Sequence, residues 1–86
     1  MWYNEAAMVP QSLKRFFWDT PIQAIDVQRN KRYVISRVLE LGDEAAVAWL
    51  ERVYTQSDLR ETVAHSRLLS PKSRNYWKIK YGLAHA

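Results

Sequence analysis

The chain has 86 residues, enough for one small domain with one core. Thirteen Lys and Arg against nine Asp and Glu leave a formal charge of +4, and a 48% hydrophobic content with four Trp, five Tyr and two Phe excludes a disordered tail. The absence of Cys excludes disulfides, thiolate metal sites and a Cys nucleophile, and two histidines, His65 and His85, leave little for a histidine zinc site. No cofactor and no metal is therefore expected.

No run of 18 apolar residues is present, so no membrane span is expected. The start, Met1 to Glu5, has neither a basic n-region nor an apolar run, and the expectation is a cytoplasmic protein. Residues 1–9 read as an N-terminal tail and residues 10–86 as a single helical domain.

Pro10 to Trp18 predicts a short leading helix with Pro10 near its first turn. Phe16, Phe17 and Trp18 are consecutive and cannot share one face of it. Asp19-Thr20-Pro21 breaks the segment, and Ile22 and Ile25 fall on a turn beneath the core. Asp26 is the expected N-cap of the next helix, whose apolar positions Val34, Ile35, Val38, Leu39 and Leu41 follow the helical period. Gly42 fits a left-handed position just past its end. Asp43 then caps a helix running to Tyr54, with Ala46, Trp49, Leu50 and Val53 on one face and Glu44 in the first turn. Thr55 or Ser57 caps a third helix, expected from Asp58 to about Ser66 with Leu59 and Val63 inward. Ser70-Pro71 starts the last helix, which reaches about Tyr81 and ends at Gly82. The fold class is all-α: a compact bundle of four to five short helices joined by short loops, its C-terminal half resembling a helix-turn-helix.

Charge is segregated along the chain. Thr62 to Ala86 carries Arg67, Lys72, Arg74, Lys78 and Lys80 and no acid; Val27 to Leu39 carries Arg29, Lys31, Arg32 and Arg37 and no acid. Such segregation suits a charged partner as well as it suits solvated helix faces. The helix pair ending in Pro71–Tyr81 has helix-turn-helix dimensions, and the N-terminal part of its second helix offers Lys72, Ser73, Arg74, Asn75 and Lys78 to phosphates and base edges, with Trp77 and Tyr81 facing the core. Arg29, Arg32 and Arg37 are candidates for contacts to the nucleic-acid backbone. A tri-helical DNA binder is often a homodimer on a two-fold site, although no heptad seam is present. Separately, Trp2, Tyr3, Phe16, Phe17 and Trp18 crowd the N-terminal quarter, and aromatics of this kind either cap a bundle or form a patch for another protein. Catalytic signals are absent: there is no Ser-His-Asp spacing, no Gly-rich phosphate loop and no metal motif, and the expectation is not an enzyme.

Three stretches carry a resemblance. They are Arg15-Phe16-Phe17-Trp18-Asp19; Asn30-Lys31-Arg32-Tyr33-Val34-Ile35 continuing through Arg37-Val38-Leu39-Glu40-Leu41-Gly42-Asp43; and Ser66-Arg67-Leu68-Leu69-Ser70-Pro71-Lys72-Ser73 with Tyr76-Trp77. Together, over roughly residues 14 to 83, they resemble a family of small bacterial helical proteins often encoded just upstream of a nucleotidyltransferase-type toxin of the abortive-infection class. The resemblance implies an antitoxin role in phage defence: a protein that binds and restrains a partner toxin enzyme. It carries over no catalytic or binding residue. The alternative expectation is a helix-turn-helix transcriptional regulator, possible in the same protein if it controls its own operon.

Overall fold

The structure is a computed structural model that describes residues 9–83. Within them the chain forms two short 3-10 segments, Gln11–Phe16 and Ile22–Ala24, and four α-helices: α1 (Lys31–Leu41), α2 (Glu44–Val53), α3 (Gln56–His65) and α4 (Pro71–Lys80). No β-strand occurs among the described residues, and the all-α reading holds. No helix among them is long and apolar enough to cross a membrane.

The hub is α1. Its Val34, Ile35, Ser36, Val38 and Leu39 are all buried, so polar side chains occupy only a narrow remaining strip. α2, α3, α4 and the leading 3-10 segment all pack on α1, and α3 packs on α4. Ala46, Trp49 and Leu50 come from α2, Leu59 and Val63 from α3, and Leu69 and Tyr81 close the core from either side of α4.

Helix ends follow from short-range chemistry. The Asp43 carboxylate accepts from the Ala46 N–H at 3.0 Å and starts α2. Thr55 and Asp58 form a reciprocal capping box at α3, which moves that helix to Gln56–His65, ahead of the expected start at Asp58. Ser70 caps α4 with Pro71 in its first turn. At the other end Gly82 has φ of 73°, with Gly82 N–H bonded to the Ile79 carbonyl (3.2 Å) and Leu83 N–H to the Lys78 carbonyl (2.7 Å), a Schellman closure.

Four expectations need correction. The segment after Pro10 is a 3-10 turn that buries Leu13 and Phe16, and Val9, placed in the tail by the sequence, is buried in the core. Asp26 does not cap α1: its carboxylate accepts from the N–H groups of Gln28 (2.9 Å) and Arg29 (2.7 Å), closing a turn, while Asn30 Oδ1 accepts from Asp26 N–H (2.8 Å) and α1 begins at Lys31. Gly42 is extended, with φ of −80° and ψ of 170°, and not left-handed. It is glycine for lack of room: a Cβ there would lie 2.6 Å from the Val38 carbonyl oxygen and 3.1 Å from Ala46 Cβ.

Tertiary hydrogen bonds help fix the helices to one another. The hydroxyls of Ser36 and Ser66, both fully buried, meet at 2.7 Å. The Tyr54 hydroxyl donates to the Val27 carbonyl at 2.8 Å, and Ser70 N–H donates to Glu40 at 3.0 Å. Among the described residues no buried side-chain polar atom lacks a partner.

Candidate partner-binding face

The phase of α4 is set by what its inner side holds. The Trp77 indole N–H donates to the Leu39 carbonyl at the end of α1 (2.9 Å), and its ring stacks on Tyr81 at 5.5 Å. Arg74 reaches back to the end of α3, where Nη1 donates to the carbonyls of Val63 (2.9 Å) and Ala64 (3.1 Å) and Nη2 to that of Ser66. A guanidinium there satisfies carbonyls that a helix C-terminus leaves open and meets the negative end of the dipole. With Arg74, Trp77 and Tyr81 turned inward, Lys72, Asn75, Tyr76, Ile79 and Lys80 point out at i, i+3, i+4, i+7 and i+8. Tyr76 is 55% exposed and Ile79 64%, and no α4 residue is fully buried.

Beside this outer stripe lies a groove of about 560 Å³ between α2 and α4. Val47, Ala48 and Trp77 line its base; Tyr76 and Lys80 line the α4 side, and Asp43, Glu44 and Glu51 the α2 side. Both helices rest on α1, which leaves the space between them open. Glu51 accepts from the Tyr81 hydroxyl at 3.2 Å; burial, reinforced by that carboxylate, pushes the Tyr81 hydroxyl pKa up and keeps it a donor. Asp43 is held below the usual carboxylate range by the Ala46 N–H, with Arg15 adding an ion pair at 2.6 Å. Glu44 has no ion pair or side-chain hydrogen bond among the described residues.

The residues singled out for DNA divide. Lys72 and Asn75 are exposed, Ser73 and Lys78 are half-buried, and Arg74 is corrected to a structural role, since its guanidinium is already bound to three carbonyls. Arg29 and Arg32 are exposed. Arg37 is corrected likewise: its Nη2 donates to both Asp19 oxygens (2.9 and 2.8 Å) and to the Tyr33 hydroxyl (2.9 Å), and this bond holds the Asp19 carboxyl below its ordinary range.

The predicted aromatic patch also divides. Trp2 and Tyr3 lie outside the described residues. Phe16 and Phe17 are corrected to core residues, 8% and 1% exposed, because the 3-10 turn folds both under α1. Trp18 alone stands out, 69% exposed, with the Arg37 guanidinium 4.8 Å from its ring. Leu41 and Leu68 are exposed farther along the same side of α1, where with Arg37 and Glu40 they line a small notch.

Sequence reasoning passed over Tyr76 and Ile79. The signal for them was the inward assignment of Trp77 and Tyr81, which by helical period turns Tyr76 and Ile79 outward. The α2 wall carried no such signal, because its proximity to α4 is a matter of tertiary packing. Among the described residues no group of three His, Asp or Glu side chains converges as a metal site would require.

Residues 12–63 match a family of unknown function, DUF6922. The match ends within α3, so α4 lies beyond it. No curated protein and no solved structure matches the chain.

Proposed function

Because the chain belongs to that family, whose function is unknown, we propose its role from the surface itself: a small helical protein that binds and restrains a partner enzyme, an antitoxin-like protein without chemistry of its own. The observation that carries this reading is α4, which sets a tyrosine and an isoleucine in solvent between two lysines. Large apolar side chains left uncovered in a cationic frame are the makings of a protein contact, where a few aromatic and aliphatic anchors supply most of the affinity. The resemblance in the sequence supplies the class of partner, a nucleotidyltransferase-type toxin encoded alongside.

The test is co-expression with the adjacent open reading frame, followed by size-exclusion chromatography with light scattering. The expected result is a complex of fixed stoichiometry that Tyr76→Ala weakens about five- to thirtyfold, as loss of an interface anchor worth about 1–2 kcal/mol does. Elution of the two proteins as separate species overturns the reading.

A second reading, DNA binding in the manner of a transcriptional regulator, is favoured by Lys72 and Asn75. Both are exposed in the first half of the second helix of a short-turn pair, where a recognition helix presents its base contacts. It predicts binding to the upstream promoter with a steep salt dependence, weakened by Lys72→Ala and Asn75→Ala. A flat titration at about 50 mM salt removes it.

A further inference from the structure

We propose that the groove between α2 and α4 takes an amphipathic helix of the partner with two oppositely charged flanks, acidic where it meets α4 and basic where it meets α2. The inference rests on the partner-binding reading and specifies the occupant. The base of the groove, Val47, Ala48 and Trp77 with the edge of Tyr76, suits an apolar stripe of side chains at i, i+3, i+4 and i+7. Its two sides differ in sign. On the α4 side stand Lys80 and, on the crest above, Lys72, on a helix that contains no acid. On the α2 side stand Glu44 and Glu51, eight and one positions ahead of Arg52, the first basic residue after them; neither spacing is the three or four that brings side chains together on a helix, so the carboxylates of that wall are not paired along their own helix in the way Lys31 and Asp58 are paired at 2.9 Å across helices. A partner helix with one sign on both flanks meets attraction on one side and repulsion on the other; one with both signs is matched on both. Duplex DNA carries phosphate on either side of any groove it fills and is repelled by Glu44 and Glu51.

The two signs also set direction. Turning a helix end for end over its apolar stripe exchanges its flanks, so only one polarity along the groove satisfies both sides.

Three synthetic helical peptides with an identical leucine stripe test the proposal: flanks Glu on one side and Lys on the other, flanks all Glu, and flanks all Lys. Each is titrated into the 15N-labelled full-length protein, with the Trp77 indole N–H and the α2 and α4 amides as reporters. The two-signed peptide is expected to bind about three- to fivefold tighter than either one-signed peptide, the difference one exposed charged flank makes. Glu44→Lys is expected to transfer the preference to the all-Glu peptide, and Lys80→Glu to the all-Lys peptide. Both side chains are exposed, and a thermal melt of each variant verifies the fold. Equal affinity for all three peptides, no binding by any at about 1 mM (the weak limit for a specific contact), or displacement of the two-signed peptide by a DNA duplex overturns the proposal. Failure here with an intact co-purified complex removes the groove and leaves the partner reading; absence of the complex removes the partner reading whatever the peptides do.

Discussion

Arg74 is the residue whose replacement most sharply separates a structural role from a binding one. Its guanidinium donates to three carbonyls at the end of α3, those of Val63, Ala64 and Ser66. The bonds to Val63 and Ser66 are partly buried and the one to Ala64 is exposed. Hydrogen bonds with a charged partner contribute about 1.5–3 kcal/mol each when shielded, but carbonyls at a half-exposed helix end regain water once the guanidinium is gone. Crediting each partly buried bond with about 1 kcal/mol, the exposed one with nothing, and the cation at the helix C-terminus with about 0.5 kcal/mol gives about 2.5 kcal/mol. Arg74→Met keeps an aliphatic stem and removes the donors and the charge. For a domain of this size the loss corresponds to a fall in Tm of roughly 10–20 °C. Arg74→Lys keeps the charge but not the fork, and is expected to lose about half as much. Urea denaturation followed by circular dichroism, with m compared between variants, measures both. An Arg74→Met protein within about 0.5 kcal/mol of wild type, the usual spread for neutral surface changes, refutes the assignment.

Other perturbations follow from the same contacts. Ser66→Ala is expected to cost about 2 kcal/mol and Ser36→Ala about 1 kcal/mol, because Ser66 Oγ also accepts from Leu68 N–H (3.1 Å) and its removal strands two groups instead of one; paired urea melts that give the reverse order contradict this. Gly42→Ala is expected to cost about 1–3 kcal/mol through collision with the Val38 carbonyl, and Gly82→Ala about 1–2 kcal/mol through its positive φ, with Gly82→Asn milder, since Asn tolerates the left-handed region; thermal melts rank the three. Asp19, Glu40, Asp43 and Asp58 are all held below the ordinary carboxylate range, chiefly by Arg37, the Ser70 N–H, the Ala46 N–H and Lys31 respectively. With folded values below unfolded ones, the unfolded chain takes up protons first. Their stabilisation is therefore complete above about pH 5 and is lost as pH falls through about 4 and below. Urea midpoints that hold steady from pH 7 down to 3 are the contrary result.

The helix starts were legible because their chemistry is local: Asp43, Thr55 and Ser70-Pro71 each act within three residues of themselves. Asp26 shows the limit of that logic. An aspartate bonded to the N–H groups two and three residues on closes a turn, and the same letters serve a helix cap; Asn30, whose side chain holds the Asp26 N–H, decides the case. Gly42 reads as the common glycine after a helix, with a positive φ, when the operative reason is lack of room for a Cβ, against the Val38 carbonyl of α1 at 2.6 Å and then Ala46 of α2 at 3.1 Å. Phe16 and Phe17 were ambiguous because a 3-10 segment places side chains about 120° apart, and the turn that follows it, closed by Thr20 N–H on the Phe17 carbonyl (3.1 Å), leaves both buried while Trp18 stands out. For Asp26 the deciding partner was still local, four residues on; for the two phenylalanines the missing term was tertiary.

Charge shows the same limit with larger consequences for function. A sequence displays a guanidinium but not its addressee, and four of the most prominent cations turn out to be answered within the fold. Arg15 pairs with Asp43, Lys31 with Asp58 and Arg37 with Asp19, and Arg74 caps α3. The basic stretch from Val27 to Leu39 thus contributes only Arg29 and Arg32 as exposed cations, whereas α4 presents Lys72 and Lys80 with no acid on the same helix. The anchors that hold α4 in place include Leu39, Glu40 and Val63, within the matched family segment, and Ala64 and Ser66 just past it, and they engage its inner side and its first turn. The residues on its outer side make none of these contacts. The bonds that hold α4 therefore lie on one side of it and the proposed partner contact on the other, so substitutions on the outer side leave the scaffold's own bonds in place.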